Sequence, residues 1–194
     1  MKIVFATQNL NKVKELQAQL PENIEVQSLL DLDHTKELEE TQETLQGNAL
    51  QKARFVYNKF QVDCFADDTG LEVDALNGEP GVYSARYAGE SKSFDANMEK
   101  LLTELGNNTN RAAQFRTVVA LIFNGEEYLF EGACKGVITR KKQGEKGFGY
   151  DPIFKPNHFD RTFAEMDLSE KARISHRGIA FNQLIGFLNE KMNP

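Results

Sequence analysis

The sequence predicts an α/β fold in which helices pack against a mixed β-sheet. The chain opens with an apolar run, a polar turn and an amphipathic helix, a pattern typical of a strand that leads into a helix. Further along, two apolar runs meet at Asn124–Gly125, and this dipeptide favours the tight turn of an antiparallel hairpin. A sheet that combines both kinds of connection is mixed rather than purely parallel.

The first part of the chain contains two predicted strands and two predicted helices. The strands are expected at Lys2–Ala6 and Ile24–Ser28. One helix is expected between them, and a second from Thr44 to about Asn58 after an acidic loop, because apolar residues recur at helical spacing in both segments. These residues are Val13, Leu16 and Leu20 in the first helix, and Leu45, Ala49, Ala53 and Val56 in the second.

The next predicted element is a buried strand that reaches Asp67–Asp68. Adjacent carboxylates repel each other, so we expect the strand to open into a loop at this pair. Helices are expected at Phe94–Leu105, where Gly106 is a suitable stop, and at Gly178–Met192. Their apolar stripes are Phe94, Met98, Leu101 and Leu105 in the first, and Phe181, Leu184, Ile185 and Leu188 in the second.

Length and composition restrict the classes of function. With 194 residues, one domain spanning 1–194 is expected. A net charge of −6 argues against a surface that binds nucleic acid through broad positive charge, although a local basic pocket for a small anion remains possible. Cys64 and Cys134 lie in apolar runs and are interpreted as reduced core thiols. With no secretory signal or membrane span in the sequence, the expected location is the cytoplasm.

A polar loop between the first strand and the first helix is a candidate anion site. Backbone N–H groups at a helix start favour an anion, and Lys12 adds a positive charge. The loop lacks the glycines of a nucleotide-binding P-loop, so a solvated surface loop is the alternative. Its residues are Thr7, Gln8, Asn9, Leu10, Asn11 and Lys12.

Carboxylates near the centre of the chain are candidates for metal binding and catalysis. Asp68 lies beside Thr69 and a glycine, where a ligand can approach closely, and an Asx turn is the alternative interpretation. One glutamate of the acidic loop, Glu39 or Glu40, would join Asp68 in supplying the oxygen ligands that Mg²⁺ prefers. Spacing alone does not choose between them.

Two later segments suit recognition of a planar base. The segment GFGYDP combines Phe148 and Tyr150 with the carboxylate of Asp151. His176 and Arg177 carry N–H donors that match a carbonyl oxygen on a purine. The alternative is that the aromatic residues belong to the core and that the histidine is structural.

Four motifs follow one another along the chain. They are TQNLNK at 7–12, FADDTGLEVDALNGEPGVYSARYAG at 65–89, GFGYDPIF at 147–154 and AEMDLSEKARISHRG at 164–178. Together they closely resemble the family of inosine/xanthosine triphosphate pyrophosphatases over essentially the whole chain. Two departures are Gln8, where relatives commonly have glycine, and Thr69, where many bacterial relatives have serine.

The resemblance implies an elongated mixed α/β fold with two lobes around a central cleft, and a homodimer. It also implies Mg²⁺-dependent hydrolysis of ITP, dITP and XTP to the monophosphate and pyrophosphate, which removes these nucleotides before they enter DNA or RNA. Asp68 matches the proton acceptor that also contacts metal, and Glu40 is favoured over Glu39 as the second metal ligand. The nucleotide-binding positions are Thr7–Lys12, Lys52, Thr69, Phe148, Gly149, Tyr150, Asp151, Lys171, His176 and Arg177.

Two other functions are compatible with the sequence. A haloacid-dehalogenase-type phosphatase also uses a strand-end aspartate with Mg²⁺, but it requires two aspartates separated by one residue, and here they are adjacent. A noncatalytic nucleotide-binding module is the second alternative.

For the favoured enzyme, selectivity is expected at position 6 of the purine, where hypoxanthine and xanthine carry a carbonyl and adenine carries an amino group.

Overall fold

A computed structural model describes residues Met1–Met192 of the chain. The α-helices are α1 (Leu10–Gln17), α2 (Leu45–Phe60), α3 (Phe94–Leu105), α4 (Leu168–Ile174) and α5 (His176–Met192). The strands are β1 (Lys2–Phe5), β2 (Glu25–Ser28), β3 (Cys64–Val73), β4 (Pro80–Gly81), β5 (Ala112–Phe123), β6 (Glu126–Ile138) and β7 (Phe154–Pro156).

All these strands belong to one mixed sheet, as predicted. The strand order is β2-β1-β3-β5-β6-β7, and β4 pairs with β3 outside this path. β1 is parallel to both β2 and β3, whereas β3, β5, β6 and β7 pair antiparallel in sequence along the sheet. The expected hairpin is confirmed: β5 and β6 meet at Asn124 and Gly125, which both have positive φ, at 52° and 80°.

The expectation that the third strand opens into a loop at Asp67–Asp68 is wrong. β3 continues through both aspartates to Val73, because β5 pairs with every residue of it. β1, by contrast, pairs with β3 only at Cys64 and Phe65 and ends at Phe5, the residue that pairs with Phe65. Since strand side chains alternate between faces, the two carboxylates point to opposite sides of the sheet. This arrangement, rather than a loop, reduces the repulsion between them.

Other boundaries differ from the prediction by a few residues. α1 ends at Gln17, so Leu20 lies beyond it, and α2 continues to Phe60. α5 begins at His176 rather than Gly178, so the expected base-reading pair lies in its first turn. The short elements β4, β7 and α4 were not predicted, because segments of two to seven residues contain too few positions to show a period. α3 spans the predicted residues.

Three hydrophobic clusters pack against the sheet, and β3 contributes to all of them. Ala66 belongs to the cluster under α2, Phe65 to the cluster under α1 and α5, and Leu71 to the cluster under α3 and β7. The clusters under α2 and under α1 and α5 cover opposite faces of one half of the sheet. The cluster under α3 and β7 packs against the other half. The middle of β3, which carries the aspartates, therefore lies where the two halves meet.

A glycine on β6 allows the start of α5 to lie close to the sheet. A Cβ at Gly132 would overlap the backbone carbonyl of His176 and lie 2.7 Å from the backbone nitrogen of Ala180. Because only glycine leaves this space, the first turn of α5 approaches the middle of β5 and β6.

Both cysteines match their predicted environment. Cys64 and Cys134 are buried and free. No helix within residues 1–192 combines the length and the apolar character that crossing a membrane would require.

Candidate active site

A cleft of about 360 Å³ lies where the two halves of the sheet meet. It brings together most of the residues singled out in the sequence, although these come from segments far apart in the chain. The predicted residues that line it are Thr7, Gln8, Asn9, Lys12, Glu40, Lys52, Asp68, Thr69, Phe148, Gly149, Tyr150, Asp151, Lys171, His176 and Arg177. Leu10, Asn11 and Glu39 do not line it.

The polar loop after β1 forms one end of the cleft. Since β1 stops at Phe5 while β3 continues, the loop crosses the space beside the aspartates. Asn9 caps α1 by accepting a hydrogen bond from the backbone nitrogen of Asn11 at 3.0 Å, and Thr7 Oγ1 accepts one from the Asn9 nitrogen at 3.1 Å. Leu10, in the first turn of α1, is exposed. A small anion at this end would meet backbone N–H groups and Lys12.

Asp68 faces α2 and shares a lysine with Glu40. Lys52 Nζ lies 2.5 Å from Glu40 Oε1 and 3.8 Å from Asp68 Oδ1. Asp68 also accepts hydrogen bonds from Asn48 Nδ2 and from the backbone nitrogen of Thr69, both at 3.0 Å. Burial raises the pKa of Asp68, and the charge of Glu40 raises it further, so the pKa stays above its usual range despite Lys52.

Opposing effects also set the pKa values of the two groups that accompany Asp68, Glu40 and Lys52. Burial raises the pKa of Glu40, but Lys52 outweighs it and the net pKa is lowered. Burial lowers the pKa of Lys52, but Asp68 and Glu40 outweigh it and the net pKa is raised. Glu39, in contrast, is exposed outside the cleft. The geometry therefore favours Glu40 over Glu39 as the partner of Asp68.

Asp67 faces the opposite side of the sheet and pairs with two other cations. Its Oδ1 lies 2.8 Å from Lys12 Nζ, and its Oδ2 lies 3.1 Å from Arg177 Nε. Burial alone would raise the pKa of Asp67, but Lys12 and Arg177 hold it well below its usual range. Each of the adjacent aspartates thus has its own cation partners, which removes the need for one shared ion between them.

Glu15 links two cations of the cleft, and it was not among the site residues predicted from the sequence. Its carboxylate lies 2.6 Å from Lys171 Nζ and 2.5 Å from Arg177 Nη1. Lys171 in turn lies 2.6 Å from Asp151 Oδ2, which also accepts a hydrogen bond from the backbone nitrogen of Phe148. This buried network ties α1, α4, α5 and the loop of Phe148 into one unit. Glu15 resembles a surface helix residue in the sequence, since only the fold brings Lys171 and Arg177 to it.

The guanidinium of Arg177 is held by several hydrogen bonds within the protein, more than recognition of a base alone would require. It is 3% exposed and donates to Asp67 and Glu15, and its Nη2 donates to Thr69 Oγ1 at 3.1 Å. Three of the five guanidinium N–H groups are therefore used within the protein. Burial lowers the pKa of Arg177, but Glu15 and Asp67 outweigh it and raise the net pKa.

His176 lines the cleft and carries one buried polar atom without a partner. Its ring stacks on Phe115 with centroids 4.4 Å apart and planes inclined by 16°, and its buried Nδ1 has no hydrogen-bond partner among the described residues. Burial lowers the pKa of His176 well below its usual value, and the positive charges of Arg177 and Lys171 lower it further. The imidazole is therefore neutral near pH 7 and can both donate and accept a hydrogen bond.

The low pKa of His176 predicts a loss of stability in mild acid. The unfolded chain binds a proton near pH 6.5 whereas the folded protein does not, so this histidine costs stability only below that pH. The slope from one such group is at most about 1.4 kcal/mol per pH unit, or about 2 kcal/mol between pH 6.5 and 5. Urea unfolding at several pH values should show this loss in the parent protein and a flatter profile in His176→Gln. The exposed His158 supplies the control: His158→Gln should keep the parent profile, and equal flattening in both variants would contradict the assignment.

Several lining residues were not predicted as site residues from the sequence. They occur in segments that read as core or loop, and only the fold turns them toward the cleft. These residues are Leu29, Glu37, Leu38, Val82, Ser84, Ala85, Lys92, Phe94, Asn97 and Phe115. Phe94 was predicted only as the first core residue of α3, not as a residue of the site.

The carboxylates of the cleft can complete a metal site only together with a ligand. Within residues 1–192 no group of three or more His, Cys, Asp or Glu side chains is placed to hold a metal ion. Glu40 and Asp68 nevertheless converge on one cation, Lys52, and a hard divalent ion is often held by one or two carboxylates plus phosphate oxygens and water. The residues present therefore fit a metal that arrives with a phosphorylated ligand.

Comparison with known proteins gives similarity over almost the whole chain. The sequence model of the Ham1 family matches residues 3–187. A dITP/XTP pyrophosphatase of Flavobacterium johnsoniae is 58% identical over 97% of this chain and 98% of its own, and one of Christiangramia forsetii is 54% identical over 98% and 100%. The solved structure of the Staphylococcus aureus Ham1 protein superposes with a TM-score of 0.88 at 43% identity, covering 98% of this chain and 100% of that one.

Proposed function

Because the chain belongs to the Ham1 family, we propose that it hydrolyses non-standard purine nucleoside triphosphates to the monophosphate and pyrophosphate. Its substrates are ITP, dITP and XTP, and its role is to remove them before they are incorporated into DNA and RNA. The observation that carries this proposal is the convergence of Asp68, Glu40 and Lys52 beside the polar loop after β1. Names of relatives that share more than half of their residues with this chain support it.

The chain's own residues divide the chemistry between the two faces of β3. Asp68, whose pKa is raised, orients a water molecule and accepts its proton as the water attacks the α-phosphorus. Lys52 and Lys12 bind the leaving pyrophosphate, and the loop Thr7–Lys12 binds phosphate oxygens through its backbone N–H groups. Asp67 positions Lys12 from the other face of the strand.

We assign the metal site to Glu40 and Asp68, with Mg²⁺ as the ion. Bound there together with phosphate oxygens, Mg²⁺ would supply neutralisation of the charge that develops on the phosphates. Its preference for oxygen ligands and for sites with one or two carboxylates supports this choice over softer metals.

The base is assigned to the end of the cleft that carries Phe148–Asp151, Lys171, His176 and Arg177. The imidazole of His176 and the remaining N–H groups of Arg177 can pair with the carbonyl at position 6. Adenine has an amino group at that position, so its binding would leave these donors without partners, which is costly in a buried pocket.

A substrate panel tests the proposed function. With Mg²⁺, the purified protein should hydrolyse ITP, dITP and XTP at least about a hundredfold more efficiently than ATP, as expected when a buried polar pair is left unmatched. The product should be pyrophosphate, detected with and without added inorganic pyrophosphatase. Similar kcat/KM values for ITP and ATP would contradict the specificity. Release of orthophosphate alone would indicate a phosphatase, and binding of ITP without turnover a noncatalytic module.

Glu40 is expected to set the Mg²⁺ requirement. Glu40→Gln removes one of the two anionic ligands, so the Mg²⁺ concentration for half-maximal turnover should rise about tenfold or more. Glu39→Gln is the matched control, because this neighbouring glutamate lies outside the cleft. Titration of Mg²⁺ at saturating ITP distinguishes the two variants, and a larger change in Glu39→Gln would transfer the role to Glu39.

We further propose that the chain acts as one domain, in the cytoplasm, as a homodimer. The sheet that continues through both halves supports a single domain. Two free, buried cysteines are consistent with a reducing compartment. The homodimer rests on the resemblance noted in the sequence, and sedimentation equilibrium measures it directly.

A further inference from the structure

Phe94 is a large apolar side chain that the fold leaves exposed at the cleft. It is the first residue of α3 and lines the cleft with 44% of its surface exposed. The apolar stripe of α3 explains its position: Met98, Leu101 and Leu105 are buried in the core, and Phe94 lies one turn beyond the edge of that core. The same stripe that fixes the helix therefore directs this ring into the cleft.

The ring of Phe94 lies next to the ring of Phe148. Their centroids are 6.1 Å apart and their planes are inclined by 45°. Phe148 also lies near two cations, with Lys171 Nζ at 5.1 Å and Arg177 at 5.4 Å from its ring centre. The two aromatic residues thus form an apolar corner beside the polar groups assigned to the base.

The geometry of this corner excludes a parallel sandwich. A planar base between two parallel rings needs about 3.5 Å on each side, or about 7 Å in all. The two rings are closer than this and strongly inclined. A base that stacks on Phe148 would therefore meet Phe94 along its edge.

We propose that Phe94 contacts the purine base of the bound nucleotide, as a side wall of the pocket in which Phe148 is the stacking surface. This inference rests on the proposed function, since it assumes a purine nucleotide in the cleft. A phenyl ring offers no hydrogen bond, so Phe94 strengthens binding of every purine and does not distinguish inosine from adenosine nucleotides. Discrimination stays with the polar groups of the pocket.

Kinetics separate this role from that of the polar residues. Phe94→Ala should raise KM for ITP and XTP about 5- to 20-fold, the lower part of the range for aromatic contact with a base. The change in kcat should stay below about threefold, and the ITP-to-ATP ratio of kcat/KM should stay within about threefold of the parent value. Phe94→Tyr should restore most of the affinity because it retains the ring.

Phe55 is the matched control. It is 42% exposed, lies on α2, and does not line the cleft. Phe55→Ala should leave KM for ITP at the parent value. An unchanged KM in Phe94→Ala, or equal increases in Phe94→Ala and Phe55→Ala, would overturn the inference.

Fluorescence tests the contact without turnover. The chain contains no tryptophan, so Phe94→Trp introduces a single reporter at the proposed contact. Without Mg²⁺, IMP should quench this emission, whereas ribose 5-phosphate and pyrophosphate should not, and Phe55→Trp should not respond to IMP. Emission from Phe94→Trp that is unchanged while calorimetry shows IMP binding would overturn the inference.

The two levels of failure are distinguishable. If the parent protein hydrolyses ITP but Phe94→Ala keeps its KM, only the role of Phe94 falls. If the parent protein neither binds IMP nor hydrolyses ITP, the proposed function falls and takes this inference with it.

Discussion

Replacing Asp68 with asparagine is expected to lower kcat for ITP by about 10²–10⁴-fold, the range for loss of a general base. The amide cannot accept the proton of the attacking water, and it also removes an anionic ligand for the metal. The raised pKa of Asp68, caused by burial and by Glu40, suits a group that must take up a proton during turnover.

The fold of Asp68→Asn should remain intact. An amide oxygen can still accept a hydrogen bond from Asn48 or from the backbone nitrogen of Thr69. Thermal unfolding checks this, and the exposed Asp160 gives a matched control, because Asp160→Asn should keep parent activity. Turnover of Asp68→Asn near the parent rate at saturating Mg²⁺ would remove Asp68 from the mechanism.

Arg177→Ala is expected to produce the largest loss of stability. Arg177 is the shared cation partner of the buried carboxylates of Asp67 and Glu15, and the variant removes it. Breaking a buried ion pair in this way lowers the free energy of unfolding by about 3–5 kcal/mol. For a protein of this size the midpoint of thermal unfolding should fall by roughly 6–20 °C. Differential scanning calorimetry measures this shift.

Arg173 provides the control for this variant. It lies four residues earlier, on the exposed side of α4, and Arg173→Ala should change the midpoint by little. A midpoint for Arg177→Ala close to that of the parent would show that Lys12 and Lys171 suffice to stabilise the two carboxylates.

Recognition of the base by Arg177 is better tested with Arg177→Lys, which keeps a positive charge in the network. This variant should change the ratio of ITP to ATP turnover only if the guanidinium touches the base.

Much of the candidate site was predictable because its residues stand in short motifs. The loop Thr7–Lys12 follows an apolar strand, and the segments of Asp68, Phe148 and His176 combine glycines with charged or aromatic residues. Local patterns of this kind indicate where the backbone can approach a ligand.

Glu15 and Phe94 show where such patterns fail. Glu15 looks like a solvated helix residue, and Phe94 looks like the first core residue of an apolar stripe. The role of Glu15 depends on Lys171, which lies 156 residues away in the chain. The role of Phe94 depends on where the hydrophobic core under α3 ends. No local periodicity of the sequence records either relation.

The sequence by itself determined the mixed sheet, the long helices and the hairpin at Asn124–Gly125, because hydrophobic period and turn chemistry are local properties. It also determined the family, through four ordered motifs. Only the tertiary structure decided how Asp67 and Asp68 coexist: β5 keeps β3 extended after β1 has ended, so the two side chains point to opposite faces. Each then meets cations from different helices, and burial makes those pairings strong enough to separate the pKa values of two neighbouring aspartates.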